Sequence, residues 1–123
     1  MRLAVCEINS IIENNLDACI VVDCDVDGYT SAAIIINYFY SLYPEWVENH
    51  LSYIHHTGKQ HGLCDVRESF PENISLIICP DSASNDYEEH KYWNDQQVSI
   101  IILDHHEADH VSTAPQTITV NNQ

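Results

Sequence analysis

Three apolar runs in this chain end on an aspartate. Ala18-Cys19-Ile20-Val21-Val22 leads into Asp23-Cys24-Asp25-Val26-Asp27-Gly28-Tyr29-Thr30-Ser31. Ile74-Ser75-Leu76-Ile77-Ile78-Cys79 leads into Pro80-Asp81, and Val98-Ser99-Ile100-Ile101-Ile102-Leu103 into Asp104-His105-His106. Carboxylates at alternate positions, as at 23, 25 and 27, repel one another unless cations hold them together. Hard oxygen ligands of this kind select Mg²⁺ or Mn²⁺. The imidazoles beside Asp104 shift the preference toward Mn²⁺ or another transition metal. Asp81 is an acid able to bridge two ions. Two ions about 3.5–4 Å apart, with a water between them, are a standard apparatus for phosphoester hydrolysis.

Other readings of the first cluster are weaker. Asp23-x-Asp25-x-Asp27-Gly28 opens like an EF-hand loop, but the twelfth position is Ile34 instead of Glu. An apolar strand also precedes it where a helix is needed. Asp25-Val26-Asp27-Gly28 resembles the nucleophile motif of haloacid-dehalogenase-type phosphatases, which leaves Asp104-His105-His106 unexplained. A solvated turn would require three such coincidences.

The elements that must position these residues follow from periodicity. Leu3, Ile8, Ile11, Ile12 and Leu16 predict an amphipathic helix over 3–16. Short apolar runs predict buried strands at 18–22, 51–54, 74–79, 98–103 and 117–120. A polar turn over 23–29 leads to a helix capped by Thr30 and ended by Pro44. Residues 63–69 suit a short helix or a turn, and 86–95 a charged helix. Strands alternating with helices predict an α/β fold, a largely parallel sheet flanked by helices. Ligand sites in such open sheets lie at the carboxyl ends of the strands, so the three acidic ends converge on one crevice.

Composition sets the limits. The chain has 123 residues, with 4 Lys+Arg against 19 Asp+Glu and a formal charge of −15. One domain is expected at this length. Arg2, Lys59, Arg67 and Lys91 make no basic track, which argues against holding a long strand by plain electrostatics. Nucleic acid stays within reach if metal ions stand between protein and phosphate. No run is apolar enough for a membrane span, and no signal peptide is visible, so a cytoplasmic location is expected. The five cysteines form no Cys-x-x-Cys pair and read as reduced thiols, with Cys6, Cys19 and Cys79 buried. His50, His90 and His110 read as surface residues. Trp46, Trp93 and Tyr92 read as packing residues.

The three motifs together resemble motifs I, II and III of the DHH phosphoesterase superfamily. The first is most similar to the RecJ branch, the 5′→3′ single-strand DNA exonucleases. The oligoribonuclease and pyrophosphatase branches place a His four residues before the first metal Asp, where this chain has Val21. Lys59-Gln60-His61-Gly62-Leu63 is similar to a Gly-Tyr-Gly-Leu region of the same branch.

The resemblance implies a Rossmann-like DHH domain and roles by position. Asp23, Asp25, Asp27, Asp81 and His105 would ligate two Mn²⁺ ions, with Mg²⁺ as the substitute. Asp104 would orient a histidine, and His106 would contact phosphate. Thr30, Ser31, Lys59 and His61 are the remaining candidates for substrate binding, the first two through helix N–H groups. The implied reaction is two-metal, activated-water hydrolysis of single-stranded nucleic acid. Alternatives are a metal- and partner-binding module without turnover, or a phosphodiesterase for short oligonucleotides or cyclic dinucleotides. The family's fourth motif and C-terminal substrate-binding domain have no counterpart in residues 1–123. The expectation is therefore the amino-terminal part of a DHH domain, incomplete at its C-terminus, that self-associates or is completed by a partner chain.

Overall fold

Strands that are apolar on both faces need helices above and below them. The computed structural model, which describes residues 1–57 and 62–122, has that layering. In chain order it runs α1 (Arg2–Glu13), β1 (Asp17–Val22), α2 (Val26–Leu42), α3 (Pro44–His50) and β2 (Leu51–His55). A 3₁₀ turn (Cys64–Ser69), β3 (Ile74–Pro80), α4 (Tyr87–Asp95), β4 (Ser99–Asp104) and β5 (Thr117–Asn121) follow. The five strands form one sheet in the order β2-β1-β3-β4-β5. Every pairing is parallel. The α/β expectation holds.

Alternate residues of the central strands feed two cores. One face carries Val21, Ile77, Ile100 and Ile102 against Val66 and Trp93. The other carries Ile20, Leu76, Ile78 and Ile101 against Ile11, Phe39 and Trp46. Cys19 and Cys79 lie within the first core. Burial pushes the Cys19 thiol up to about 11 and raises Cys79 as well. Both are inert packing groups. No helix among the described residues is long and apolar enough to cross a membrane.

The structure corrects several expectations. The second helix starts at Val26, because Asp25 caps it by accepting the Gly28 N–H at 2.8 Å. Asp25 and Asp27 also favour the positive end of the helix dipole. Thr30 is therefore an interior residue and not the cap. Pro44 marks the end of α2 as expected, since the residue before a proline is pushed out of the helical region, and it also opens α3, as proline does at the first helical position. The first helix closes at Glu13, and Leu16 lies beyond it. Cys6 is exposed. His90 is fully buried, with Nε2–H donating to the Ala83 carbonyl at 2.9 Å and Nδ1 facing Ser112 Oγ at 2.9 Å.

Candidate metal centre

The chain leaves β1 toward β2 on one side and returns to β3 on the other. The carboxyl ends of β1 and β3 are thus the switch point of the sheet, where parallel strands leave a crevice. Asp23 and Asp25 stand on one lip and Asp81 on the other. Gly28 permits the close approach. A Cβ there would lie 2.6 Å from Asp23 Cβ and 2.7 Å from its carbonyl carbon.

Among the described residues, two groups of side chains bring potential ligand atoms within 4.8 Å of one another: Asp23, Asp25 and Asp81, and Asp81, His105 and His106. Asp81 is common to both. It is buried and adopts a left-handed backbone, φ 68°. Its Oδ1 faces His105 Nε2 at 2.8 Å, while its Oδ2 is buried without a hydrogen-bond partner. Burial, together with the charge of Asp25, pushes the Asp81 carboxyl up. Asp25, exposed on the crevice lip, is held below the usual range chiefly by the Gly28 N–H. A carboxylate common to two groups of oxygen and nitrogen ligands, with one buried oxygen lacking a donor, fits a pair of divalent cations. Between Asp81 and Asp86, Ser82 Oγ is a second buried atom without a partner on the crevice wall.

Asp23 and Asp104 are differently engaged. Asp23 Oδ1 accepts the Cys24 N–H at 3.0 Å and meets His56 Nδ1 at 3.0 Å. His56 is buried and reaches the Gly62 carbonyl through Nε2 at 3.2 Å. Asp104 Oδ1 accepts the N–H groups of His105 (2.8 Å) and His106 (3.2 Å) and the His106 Nδ1–H (2.7 Å). Its Oδ2 accepts Ser84 Oγ–H at 2.6 Å. Burial pushes Asp104 up, but the Ser84 and His106 hydrogen bonds outweigh it and hold the carboxyl low. The Asp104 hydrogen bond raises His106 in turn.

Asp27 belongs to neither group. It is exposed in the first turn of α2 and lines a second depression with Thr30, Ser31, Asp81, His105 and Asn122. Thr30 Oγ1 donates to the Val26 carbonyl, and Ser31 Oγ to the Asp27 carbonyl at 2.6 Å. A helix that starts at Val26 leaves neither residue among its terminal N–H groups, so the anion-receiving role expected of them loses its basis. Lys59 and His61 lie outside the described residues.

The loop after His106 is pinned to the crevice wall. Asn85 donates to the Glu107 carbonyl at 3.0 Å and accepts the Asp109 N–H at 2.9 Å. Tyr87 stacks on His110 at 4.0 Å, and its hydroxyl bonds the His110 backbone. Arg67 is paired with Glu89 and lies over the Tyr92 ring, and Lys91 is paired with Asp95. Sequence reasoning missed His56 as the partner of Asp23, and assigned no role to Ser84 and Asn121, although each lies in a segment that resembles the family's.

The DHH family model, N-terminal domain, matches residues 17–123. A protein of Bacillus subtilis (strain 168) named "Putative SPbeta prophage-derived single-strand DNA-specific exonuclease YorK" is 42% identical over 102 residues. The YorK protein of Bacillus phage SPbeta, whose name carries the same qualifier and activity, matches equally, at 42% over 102 residues. The match covers 83% of this chain and 16% of each relative. The chain therefore spans about a sixth of the length of these curated relatives.

Proposed function

The chain belongs to the DHH family, and on that footing we propose that it serves Mn²⁺-dependent hydrolysis of phosphodiester bonds at the 5′ end of single-stranded nucleic acid. The observation that carries the reading is Asp81, shared by two ligand groups and holding a buried oxygen without a partner. Asp25, Asp81 and Asp23 would hold one ion. Asp81 and His105 would hold the other, with Asp27, which lines the same depression, as a further candidate ligand. Bound there, the ions would supply Lewis acidity and an activated water. His106 presents an imidazole whose Nδ1–H is spent on Asp104 and whose proton affinity that bond raises. It thereby offers Nε2 to a phosphate oxygen. The single-strand activity in the names of the YorK proteins supports the substrate class. Val21, fully buried in β1, supports the RecJ-like branch over the histidine-bearing ones.

A second reading draws on the cations. Arg67 and Lys91 are paired with acids, which supports a grip on a long strand supplied by the ions or by another polypeptide. In that case the chain binds metal and a partner and turns over only in their company. The test is release of nucleotides from a 5′-phosphorylated oligonucleotide with Mn²⁺, for wild type, Asp81→Ala and His105→Ala. Hydrolysis lost in both variants supports the enzyme. Mn²⁺ binding without hydrolysis supports the module. Hydrolysis untouched by either change refutes the site.

A further inference from the structure

Asp104 and His106 do not stand alone. From the carboxyl end of β5, Asn121 Nδ2 donates to Ser84 Oγ at 3.1 Å and to the His106 carbonyl at 2.9 Å. Ser84 Oγ–H then donates to Asp104 Oδ2, and Asp104 Oδ1 receives His106 Nδ1–H. Donor accounting fixes the direction of each link. A carboxylate only accepts, so the single Ser84 proton goes to Asp104. The Ser84 oxygen is then free to accept only, and Asn121 supplies the N–H. Ser84 and Asp104 are both buried, so a missing link would not be replaced freely by solvent. The relay joins residues 37 and 20 positions apart in the chain and draws on the ends of β3, β4 and β5.

We propose that Asn121 and Ser84 are positioning residues for His106. They hold the Asp104 carboxylate in the one orientation that receives Nδ1–H. His106 is thereby kept in the Nδ1–H tautomer, opposite to the Nε2–H form that free imidazole side chains favour in water, and Nε2 stays available to the crevice. The Asn121 bond to the His106 carbonyl fixes the backbone that carries the ring. The inference rests on the reading of His106 as the phosphate-contacting histidine, but the tautomer can be read without any reaction.

The experiment is long-range ¹H–¹⁵N NMR of the imidazoles in the full, metal-free chain, at a pH where His106 is neutral. The His106 signals are assigned by their loss in His106→Gln. Wild type is expected in the Nδ1–H form. Ser84→Ala and Asn121→Ala are expected to raise the Nε2–H population several-fold, and Ser84→Thr, which keeps the hydroxyl, to retain the wild-type tautomer. In the oligonucleotide assay with Mn²⁺, the two alanine variants are expected to lower kcat by roughly 10–100-fold, the range for partners that orient a site histidine. KM and Mn²⁺ affinity should hold, and Ser84→Thr should recover most of the rate. Should Ser84→Ala fold poorly, Asn121→Ala, at the edge of the sheet, carries the test. An unchanged His106 tautomer in both alanine variants overturns the proposal. A wild type with the Nδ1–H form and no hydrolysis refutes the enzymatic reading and leaves the relay standing.

Discussion

Asp81 and Asp104 end neighbouring strands and are almost equally buried, at 6% and 8% exposure, yet their surroundings are opposite. Asp104 has donors on both oxygens, and its carboxyl is held low. Asp81 has one partner on Oδ1, none on Oδ2, and a carboxyl pushed up by burial. The first is a bracket whose charge the protein itself satisfies. The second is a charge the protein leaves unsatisfied, which costs stability and persists at sites that bind something. Burial alone does not separate the two roles; the count of donors does.

The comparison is broken most directly by metal affinity. Asp81→Asn is expected to weaken Mn²⁺ binding by more than the roughly 100-fold that marks the upper end for outer partners. Asp104→Asn should stay within that range. Titration calorimetry of both variants measures the gap, and equal losses would erase the distinction.

Stability should invert the order. Without metal, Asp104→Asn leaves donors facing an amide N–H₂ and should cost about 1–3 kcal/mol. Asp81→Asn removes a buried charge that has a partner on one oxygen only and should be neutral or stabilising. The pH dependence sharpens this. A carboxyl raised by folding contributes stability that is full below the ordinary carboxylate pKa of about 3.9 and is lost as pH rises through the raised value. The Asp81→Asn protein should therefore lose that decline on the side above about pH 4. Asp104, held low, contributes above about pH 3.9 and loses its contribution as pH falls through the lowered value. Asp104→Asn should flatten the acid limb. Urea denaturation of metal-free protein across pH 2–8 reads both limbs, and the same limb affected in both variants would contradict the contrast.

The smallest effect concerns the turn that carries Asp81. Ala83 sits at φ 78°, a left-handed conformation that costs a residue with a Cβ. Ala83→Gly should stabilise the protein by about 0.5–1 kcal/mol, read as a raised urea midpoint. A lowered midpoint would mean that the His90 bond to Ala83 does not hold the turn in place of glycine.

Much of the site was legible in the sequence because its signals are local. An apolar run that ends in Asp puts the acid at a strand's carboxyl end whatever the rest of the chain does, and the five strands all appear within a residue or two of their expected places. The start of α2 differs from the expected Thr30 because Asp25 supplies a stronger cap, and acids there also favour the helix dipole. His90 was read as a surface residue because a lone polar side chain on a charged helix looks solvated. Its burial depends on Ala83 and Ser112, which its own neighbourhood does not reveal.

By itself the sequence determined the α/β class, the order of the motifs and the clustering of acids. Each follows from hydrophobic periodicity and from strand ends, which are short-range properties. Only the tertiary structure decided which acids are open and which are spent. That depends on His56 meeting Asp23 across 33 positions, and on Ser84 and Asn121 converging on Asp104 and His106. Hydrogen-bond satisfaction belongs to contacts between strand ends, and parallel pairing brings distant residues together in a register that no local pattern encodes.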